Sequence, residues 1–214
     1  MTLLQRTAKR VLGLVLPSRC VGCGTRDTYL CDACISGMSV PSPRTLTADA
    51  FAFDSATSAV VYDCVAREAV HRFKFKNLRA LAPLLVVPVA RLIPASLLID
   101  AVVPVPQHPS RLRERGYNQA ALLGEGIAAS VGVPFEPTWL ARPHQVGHQV
   151  EARNIAERQA NVRSAFMATS AVAGLRVALV DDVMTTGATL DAAAAALKAA
   201  GAGEVHCFTF ARDA

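Results

Sequence analysis

Charged residues are scarce in this chain: they make up 18% of its 214 residues, whereas hydrophobic residues make up 52%. Disordered proteins show the opposite balance, so the composition excludes disorder for most of the chain. Long apolar runs are also lacking. The most apolar stretch, residues 81–106, is interrupted by prolines and charged residues, whereas a membrane-spanning helix needs about 20 consecutive apolar residues. The sequence therefore predicts a globular protein with no membrane span.

Aromatic residues are few as well, at 6% of the chain, and they do not alternate with basic residues along the sequence. A stripe of that kind would be expected of a surface that stacks the bases of single-stranded DNA. The net charge of +5 and the isoelectric point of about 9.1 indicate an anionic partner only weakly.

A typical signal peptide is missing from the N-terminus. Three basic residues precede an apolar run, residues 11–16, that is only six residues long, and no small-residue cleavage site follows it. The helical spacing of the apolar residues predicts instead a short amphipathic helix packed on the domain. We therefore expect a cytoplasmic protein.

Four of the six cysteines form two closely spaced pairs, Cys20 with Cys23 and Cys31 with Cys34. Two residues between thiolates allow one backbone turn to direct both sulfurs at one ion, and two such pairs complete a structural four-thiolate zinc site. Two disulfides or buried free thiols are the alternatives, and a reducing compartment disfavours disulfides. We expect a small zinc knuckle in an N-terminal segment, residues 1–48, ahead of a main domain, residues 49–214.

The strongest motif covers residues 177–189. Four apolar residues predict a buried parallel strand, which is followed by Asp181 and Asp182, by a loop rich in threonine and glycine, and by an alanine-rich helix. In parallel sheets ligands bind beyond the carboxyl ends of the strands. Backbone N–H groups and threonine hydroxyls at a helix N-terminus suit a phosphate.

Two carboxylates beside a phosphate loop need an explanation, because they would repel the phosphate itself. They would accept hydrogen bonds from a neighbouring diol, so the pair indicates a ribose with its 5′-phosphate in the loop. The alternative is an aspartate pair that only caps the loop or the next helix. A Walker loop is excluded because its Gly-Lys-Ser/Thr sequence is absent.

A second predicted strand, residues 100–106, leads into Gln107, His108 and a run of three arginines. Arg111 and Arg115 are four residues apart and can share a helix face, where two guanidinium groups would suit pyrophosphate. A solvated basic turn is the alternative. Asn118 and Gly132 are predicted to cap the two ends of the next helix.

The motif at residues 177–189 resembles the site for 5-phosphoribosyl 1-pyrophosphate (PRPP) in type I phosphoribosyltransferases. The resemblance implies an α/β fold, with a parallel sheet flanked by helices. It further implies that Asp181 and Asp182 hold the ribose hydroxyls, and that PRPP carries Mg²⁺ on its own oxygens. The 5′-phosphate would be held by the loop residues Thr185, Thr186, Gly187, Ala188 and Thr189.

Four blocks of sequence together resemble the ComF family of competence proteins. They are the cysteine pairs, the segment that ends at Lys74, the sequence from Pro104 to Gln119, and the region of residues 140–166. The resemblance places Gln107 and His108 with the ligand-binding residues. It places Arg111 and Arg115 with the catalytic ones, together with Asp181 and Asp182. Residues 136–165 would form a lid, in which Val146 replaces a threonine that is common in the family.

Two functions follow from these motifs. The first is a phosphoribosyltransferase that releases pyrophosphate and transfers phosphoribose to an acceptor that the sequence does not name. The second is a non-catalytic protein that binds PRPP, a nucleotide or single-stranded DNA and assists the DNA-uptake machinery. An inactive structural domain is a third interpretation, against which the intact acid pair and threonine loop count.

Lys74 is either a phosphate ligand or, as we expect, a surface lysine with its stem on the core.

Overall fold

The computed structural model describes residues 18–42, 50–143 and 165–213. The predicted N-terminal helix and the predicted domain boundary near residue 48 lie outside these ranges. So does most of the predicted lid, including Val146. Within the described ranges, every helix is too short or too polar to cross a membrane.

The elements follow one another in an order dominated by alternating helices and strands. In chain order they are α1 (Asp32–Ser36), β1 (Ser55–Val61), α2 (Cys64–Phe75), a 3₁₀ turn (Arg79–Leu81), α3 (Ala82–Ala90), β2 (Ala101–Pro104), α4 (Pro109–Arg115), α5 (Gln119–Val131), β3 (Leu140–Ala141), β4 (Met167–Ala168), a second 3₁₀ turn (Ser170–Val172), β5 (Arg176–Met184), α6 (Ala188–Ala199) and β6 (Glu204–Arg212).

Four of the strands form one fully parallel sheet in the order β1-β6-β5-β2. Because all four run the same way, their carboxyl ends meet at one edge. The short strands β3 and β4 pair separately, in antiparallel fashion. The expected α/β fold with a parallel sheet is therefore present.

The sheet is buried on both faces, since successive side chains of a strand point to opposite sides. Ala178 and Val180 of β5 face a core formed with helices α2, α3 and α5. Val177 and Leu179 face a second core formed with α6 and the β3–β4 ribbon. The apolar run in β5 therefore lies in the middle layer of a three-layer structure.

Strand β5 is longer than its apolar run predicted. The run ends at Val180, but parallel pairing with β6 continues through Asp181 as far as Met184, opposite Arg212. Both predicted ribose-binding acids consequently belong to a strand and not to the loop behind it.

The predicted caps of α5 are confirmed. The Asn118 side chain accepts a hydrogen bond from the Ala120 N–H at 3.0 Å, and Gly132 ends the helix with a φ of 75°. Asn118 also donates to the carbonyl of Val105 at 3.0 Å. One side chain thus starts α5 and ties it to the end of β2.

The cysteine-containing segment packs directly on the main core. Val21, Leu30 and Met38 belong to the same buried cluster as Phe73 of α2. The Ser39 carbonyl accepts a hydrogen bond from the Val61 N–H of β1 at 2.8 Å. The division of the chain at residue 48 stays a prediction, but the described part of the first segment shares its core with the rest.

Candidate functional site

Two neighbouring strands, β2 and β5, end at the same edge of the sheet. Pro104 pairs with Val180, so the chain leaves β2 beside the point where β5 reaches its acids. Helix α4 follows β2 and helix α6 follows β5, and both helices therefore begin at this edge. The two predicted phosphate segments, which are about 70 residues apart in sequence, are adjacent in the structure.

The threonine loop between β5 and α6 turns sharply at Gly187. Gly187 has a φ of 82°, a left-handed conformation that side chains other than glycine rarely adopt. A Cβ there would also lie 3.4 Å from the Phe51 ring. The Thr186 hydroxyl accepts from the Ala188 N–H at 3.4 Å, and Thr185, Thr186, Ala188 and Thr189 are exposed. The Thr186 hydroxyl thus meets the first N–H of α6, and the threonine side chains themselves lie at the surface, where an anion can reach them.

Asp181 and Asp182 point to opposite faces of the sheet, because both lie within β5. Asp181 continues the face of Leu179, and Asp182 continues the face of Val180. The Asp181 carboxylate also accepts a hydrogen bond from the Asp182 N–H at 2.8 Å. Whether both acids hold ribose hydroxyls stays a prediction, and the geometry gives them different surroundings.

Asp182 forms a buried ion pair with Lys74. The Lys74 Nζ lies 2.8 Å from an Asp182 carboxylate oxygen, and the two side chains are 21% and 8% exposed. Lys74 comes from the last turn of α2 and approaches the acid from the helix-covered face. The lysine is therefore not the plain surface residue that we expected, and contact between Lys74 and a phosphate stays a prediction.

The pKa of Asp181 is unusually high for a carboxyl group. Burial, followed by the negative charge of Asp182, raises the pKa of Asp181 to about 7. The Asp182 N–H and the positive charges of Lys74 and Arg142 act in the opposite direction but do not outweigh burial. A carboxyl group with such a pKa changes charge near neutral pH.

Arg142, which follows β3, brings a second positive charge to this edge. Burial and the neighbouring charge of Arg111 lower the pKa of Arg142, and the charge of Asp181 opposes that shift. The guanidinium group also lies 5.1 Å from the Phe166 ring centre. A predicted pyrophosphate ligand, Arg111, and a predicted ribose ligand, Asp181, therefore act on one shared neighbour.

The segment after β2 forms helix α4 and not an irregular turn. The His108 Nδ1 caps the helix by accepting from the Ser110 N–H at 3.3 Å. Arg111 and Arg115 lie one helical turn apart, as predicted, but their guanidinium groups have different neighbours. Arg115 lies 4.9 Å from the Phe75 ring centre and donates to the Gln119 amide oxygen at 3.2 Å.

Gln107, Arg115 and Gln119 form a buried polar cluster. The Gln107 amide donates to the Gln119 oxygen, which Arg115 also contacts. Within the described structure, one buried polar atom on each of the three residues has no hydrogen-bond partner: Gln107 Oε1, Arg115 Nε and Gln119 Nε2. Buried polar atoms are normally paired, so this cluster has unused hydrogen-bonding capacity beside the sheet edge where β2 and β5 end.

The four predicted metal-binding cysteines come together. Their sulfur atoms all lie within 4.8 Å of one another. The Cys31 sulfur lies 3.7 Å from that of Cys20 and 3.6 Å from that of Cys23. A tetrahedral zinc site with Zn–S bonds of about 2.3 Å has sulfur separations of about 3.8 Å. The arrangement therefore fits one tetrahedral ion with no open coordination position.

Gly22 is needed for this arrangement because a side chain would collide with it. A Cβ on Gly22 would lie 2.7 Å from the Cys34 sulfur and 2.9 Å from a Val65 methyl group of α2. Backbone N–H groups from Cys23 and Cys31 outweigh the effect of burial and lower the pKa of Cys20 to about 6. Burial and the neighbouring thiols raise the pKa of Cys34 to about 12, so the four thiols differ in how readily they ionise.

Magnesium would require a different donor set. Within the described ranges, the cysteine cluster is the only group of three or more side chains suited to a metal. Asp181 offers a single carboxylate, with cationic neighbours. Mg²⁺ commonly binds one or two carboxylates together with substrate phosphates. The residues at this edge fit an ion that arrives with its substrate.

Sequence reasoning missed three neighbours of the site. Lys74 was expected at the surface. Arg142 and Gln119 belong to longer sequence blocks, which predicted no separate role for either residue. All three reach the site from other elements, so local spacing carried no sign of their contacts. The apolar neighbours of Cys64 in the sequence predict a core residue, and this prediction is wrong, because Cys64 is exposed at the start of α2.

Comparison with known proteins agrees with this arrangement. The family model described as "Phosphoribosyl transferase domain" matches residues 118–214. Competence protein F of Haemophilus influenzae is 34% identical over 154 residues, which cover 67% of this chain and 66% of that protein. The DNA utilization protein YhgH of Salmonella typhimurium is 34% identical over 151 residues, which cover 67% and 65%.

The chain belongs to the ComF family of competence proteins. The matched region spans about two thirds of the length of these ComF relatives. Competence protein ComFC of Streptococcus pneumoniae is 28% identical over 110 residues, or 51% of this chain and 47% of that protein. The ComF assignment thus agrees with the resemblance seen in the four sequence blocks.

Two solved structures are similar to part of this ComF chain. A structure described as the allosteric regulatory enzyme of purine biosynthesis covers 62% of the chain, and the chain covers 25% of that structure. The TM-score is 0.43 and the sequence identity 27%. Glutamine PRPP amidotransferase from B. subtilis, complexed with ADP and GMP, gives 0.42 and 27%, with coverage of 61% and 25%.

The Lys74–Asp182 pair leads to a prediction about stability. Lys74→Met should lower the free energy of unfolding by about 3 kcal/mol, because it leaves a carboxylate buried without its partner. The double variant Lys74→Met/Asp182→Asn should recover most of this loss, since no buried charge then remains. Urea unfolding of the wild type, both single variants and the double variant measures the coupling. Strictly additive losses would contradict an energetically important pair.

Proposed function

We propose that this protein binds PRPP at the edge where β2 and β5 end. The observation that carries the proposal is the position of the exposed threonine loop directly after Asp181 and Asp182, at the start of α6. The match of residues 118–214 to a phosphoribosyl transferase domain supports it. In this proposal the loop residues hold the 5′-phosphate: Thr185, Thr186, Gly187, Ala188 and Thr189.

The two acids have unequal roles in this proposal. Asp181 accepts hydrogen bonds from the ribose hydroxyls when it is ionised. Asp182 faces Lys74, so its main task is to keep that lysine and α2 against the strand. The proposal therefore narrows the sequence-based expectation, in which both acids hold the sugar to the same degree.

The pyrophosphate lies on the α4 side of the edge in this proposal. Arg111 and Arg142 are close enough to influence each other's charge, and an anion between them would relieve that repulsion. Arg115 is held by Phe75 and Gln119, and with Gln107 it forms the wall behind the pyrophosphate. His108 starts α4 and fixes the direction of that helix.

The reaction that such a site supports is transfer of phosphoribose. A nucleophile on an acceptor forms a bond to C1 of the ribose while the bond from C1 to the pyrophosphate oxygen breaks. The electron pair leaves with pyrophosphate, and the acceptor's proton goes to solvent. Because the transition state carries positive charge on the ribose and negative charge on the leaving group, Asp181 and Arg111 complement both. Mg²⁺ would screen the pyrophosphate when bound with it.

The second candidate function is the handling of DNA. It is an alternative to the transfer of phosphoribose to an acceptor. Relatives of the chain are called a competence protein and a DNA utilization protein. Arg19, Arg72 and Lys76 line a basic cleft between the cysteine segment and α2, and this positive charge favours contact with DNA. PRPP binding is compatible with this role, in which DNA-uptake proteins would be partners. Both functions would place the protein in the cytoplasm.

Zinc is the ion that we propose for the cysteine cluster. Four thiolates with sulfur separations near 3.7 Å suit a tetrahedral, closed site. Such a site contributes stability and does not activate water. Its residues Cys20, Cys23, Cys31 and Cys34 hold the segment in place against α2.

Single substitutions of the two acids test the ribose assignment. Asp181→Asn should weaken PRPP binding by about 10- to 100-fold, which corresponds to the loss of a charge-assisted hydrogen bond of about 1.5–3 kcal/mol. Asp182→Asn should weaken it by less than about threefold. Calorimetric titration with Mg-PRPP measures both. Equal losses would contradict the unequal roles, and unchanged affinity in both variants would remove the ribose site.

The same titration at several pH values gives a further check. Because the pKa of Asp181 is raised to about 7, the acceptor form increases as pH rises through neutrality, and affinity should rise with it. The phosphates of PRPP also titrate, but Asp181→Asn retains that contribution and serves as the control. A pH dependence identical in the two proteins would show that Asp181 does not take part.

Release of pyrophosphate separates an enzyme from a binding protein. The wild type, incubated with Mg-PRPP and a panel of nitrogen bases and amines, should release pyrophosphate faster with one acceptor class than without it. Arg111→Ala should abolish this acceleration while PRPP still binds through the loop. If no acceptor raises release above the Asp181→Asn background, the protein binds PRPP without transferring it.

The metal content can be predicted from the cysteine geometry. Purified protein should contain about one zinc per chain, because four thiolates bind one ion. Gly22→Ala should lose most of this zinc, since its Cβ would meet the Cys34 sulfur. Gly24→Ala separates backbone strain from collision: its φ of 79° disfavours a side chain, but no atom lies within 4 Å of the new Cβ, so it should keep more zinc than Gly22→Ala. Full zinc content in Gly22→Ala would contradict this account of the site.

A further inference from the structure

The four cysteines of the metal-binding cluster differ in their exposure. Cys20 is 4% exposed, Cys31 and Cys34 are half-buried, and Cys23 is exposed. The zinc proposed above would hold all four as thiolates, and the thiolate is the form of cysteine that reacts with oxidants. The cluster therefore presents one of its members, Cys23, to reagents in solution.

The surroundings of Cys23 are polar and positively charged. The Thr25 hydroxyl lies 3.1 Å from the Cys23 sulfur, and both residues are exposed. The Arg19 guanidinium donates to the carbonyl of Gly24, the next residue after Cys23, at 3.4 Å. Arg19 also pairs with Arg26 through the backbone, across the base of the same turn. Reactive cysteines lie in partly exposed, electropositive surroundings of this kind.

Cys31 is the cysteine best placed to react with an oxidised Cys23. The two sulfurs lie 3.6 Å apart, and they belong to different cysteine pairs of the sequence. Cys20 is buried, and its sulfur accepts a hydrogen bond from the Cys31 N–H at 3.4 Å. A donor of this kind stabilises the charge of a thiolate and so lowers its nucleophilicity. We therefore expect a disulfide that joins Cys23 to Cys31.

We propose that Cys23 is an oxidation site through which peroxide releases the metal, an inference that rests on the zinc proposed above. The Cys23 thiolate attacks one oxygen of hydrogen peroxide, the O–O bond breaks, and a sulfenic acid and hydroxide form. The Cys31 thiolate then attacks the Cys23 sulfur and displaces its hydroxyl as hydroxide, which leaves a disulfide. Peroxide gains the two electrons that the two sulfurs lose, and the ion keeps only two of its four ligands.

Loss of the ion would change the turn that faces α2 and leave the main core in place. Gly22 packs so closely on Cys34 and on Val65 of α2 that no side chain fits there, so the shape of the turn depends on the ligand positions. Val21 and Leu30 belong to the main core and would keep the segment attached. The oxidised protein therefore stays folded, and the change is confined to the surface around the cysteine segment.

Zinc release from the full, zinc-containing chain measures the reaction. Excess hydrogen peroxide should release about one zinc per chain, which a colorimetric chelator detects, and a thiol reductant with added zinc should restore it. Mass mapping of protein that is quenched early should find the first disulfide between Cys23 and Cys31. Retention of the zinc under excess peroxide, or a first disulfide that lacks Cys23, would overturn the inference.

Cys23→His tests the reactive sulfur while keeping a ligand, because imidazole also binds zinc and resists peroxide. This variant should release zinc at least about tenfold more slowly than the wild type, since its exposed ligand has no thiolate to oxidise. The matched control is Cys64→Ser, which removes an exposed thiol outside the cluster and should release zinc at the wild-type rate. Unchanged release in Cys23→His, or lost release in Cys64→Ser, would assign the reaction to another cysteine and overturn the inference.

Labelling of the wild type with a sulfenic-acid probe makes the test independent of how well the variants bind metal. Dimedone, added together with peroxide, should modify Cys23 before any other cysteine. Earlier labelling of Cys20, Cys31 or Cys34 would overturn the inference, whatever the zinc content. If the purified chain carries no zinc, the zinc proposal fails, and the order of labelling still decides whether Cys23 is the oxidation site.

Discussion

The alternation of side chains along β5 determines how the candidate site is arranged. Because β5 keeps its pairing with β6 through Met184, adjacent acids in the sequence must face opposite sides of the sheet. Asp182 meets Lys74 on the face covered by α2, and Asp181 remains beside Arg142 on the other. One acid is thereby neutralised by the protein, while the second keeps a carboxyl group whose charge changes near neutral pH.

The site combines a rigid framework of parallel strands with polar side chains carried at its edge. The parallel strands bring to one edge the two segments that we propose as phosphate ligands, and Gly187 allows the chain to turn directly into α6. The threonine side chains of the loop lie at the surface of this framework, whereas Asp181 is buried enough for its pKa to rise. Part of this framework lies within residues 118–214, which match the phosphoribosyl transferase domain model.

Local features of this protein could be predicted from the sequence, and distant contacts could not. The apolar run of β5, the caps Asn118 and Gly132, and the two cysteine pairs each depend on neighbours a few residues away, and the structure contains them as expected. The length of β5 depended on its pairing with β6, so the divergence of the acids was not visible. The Lys74 contact joins residues 108 positions apart, and the basic cleft combines two segments that neither composition nor spacing connects.

Helix α2 touches three different parts of the molecule within its twelve residues. Val65 near its start abuts the turn at Gly22, its middle forms a wall of the cleft, and Lys74 in its last turn holds Asp182. A small tilt of α2 would alter all three contacts at once. The arrangement of the cysteine cluster near one end of α2 and of Asp182 at the other therefore depends on the position of the same helix.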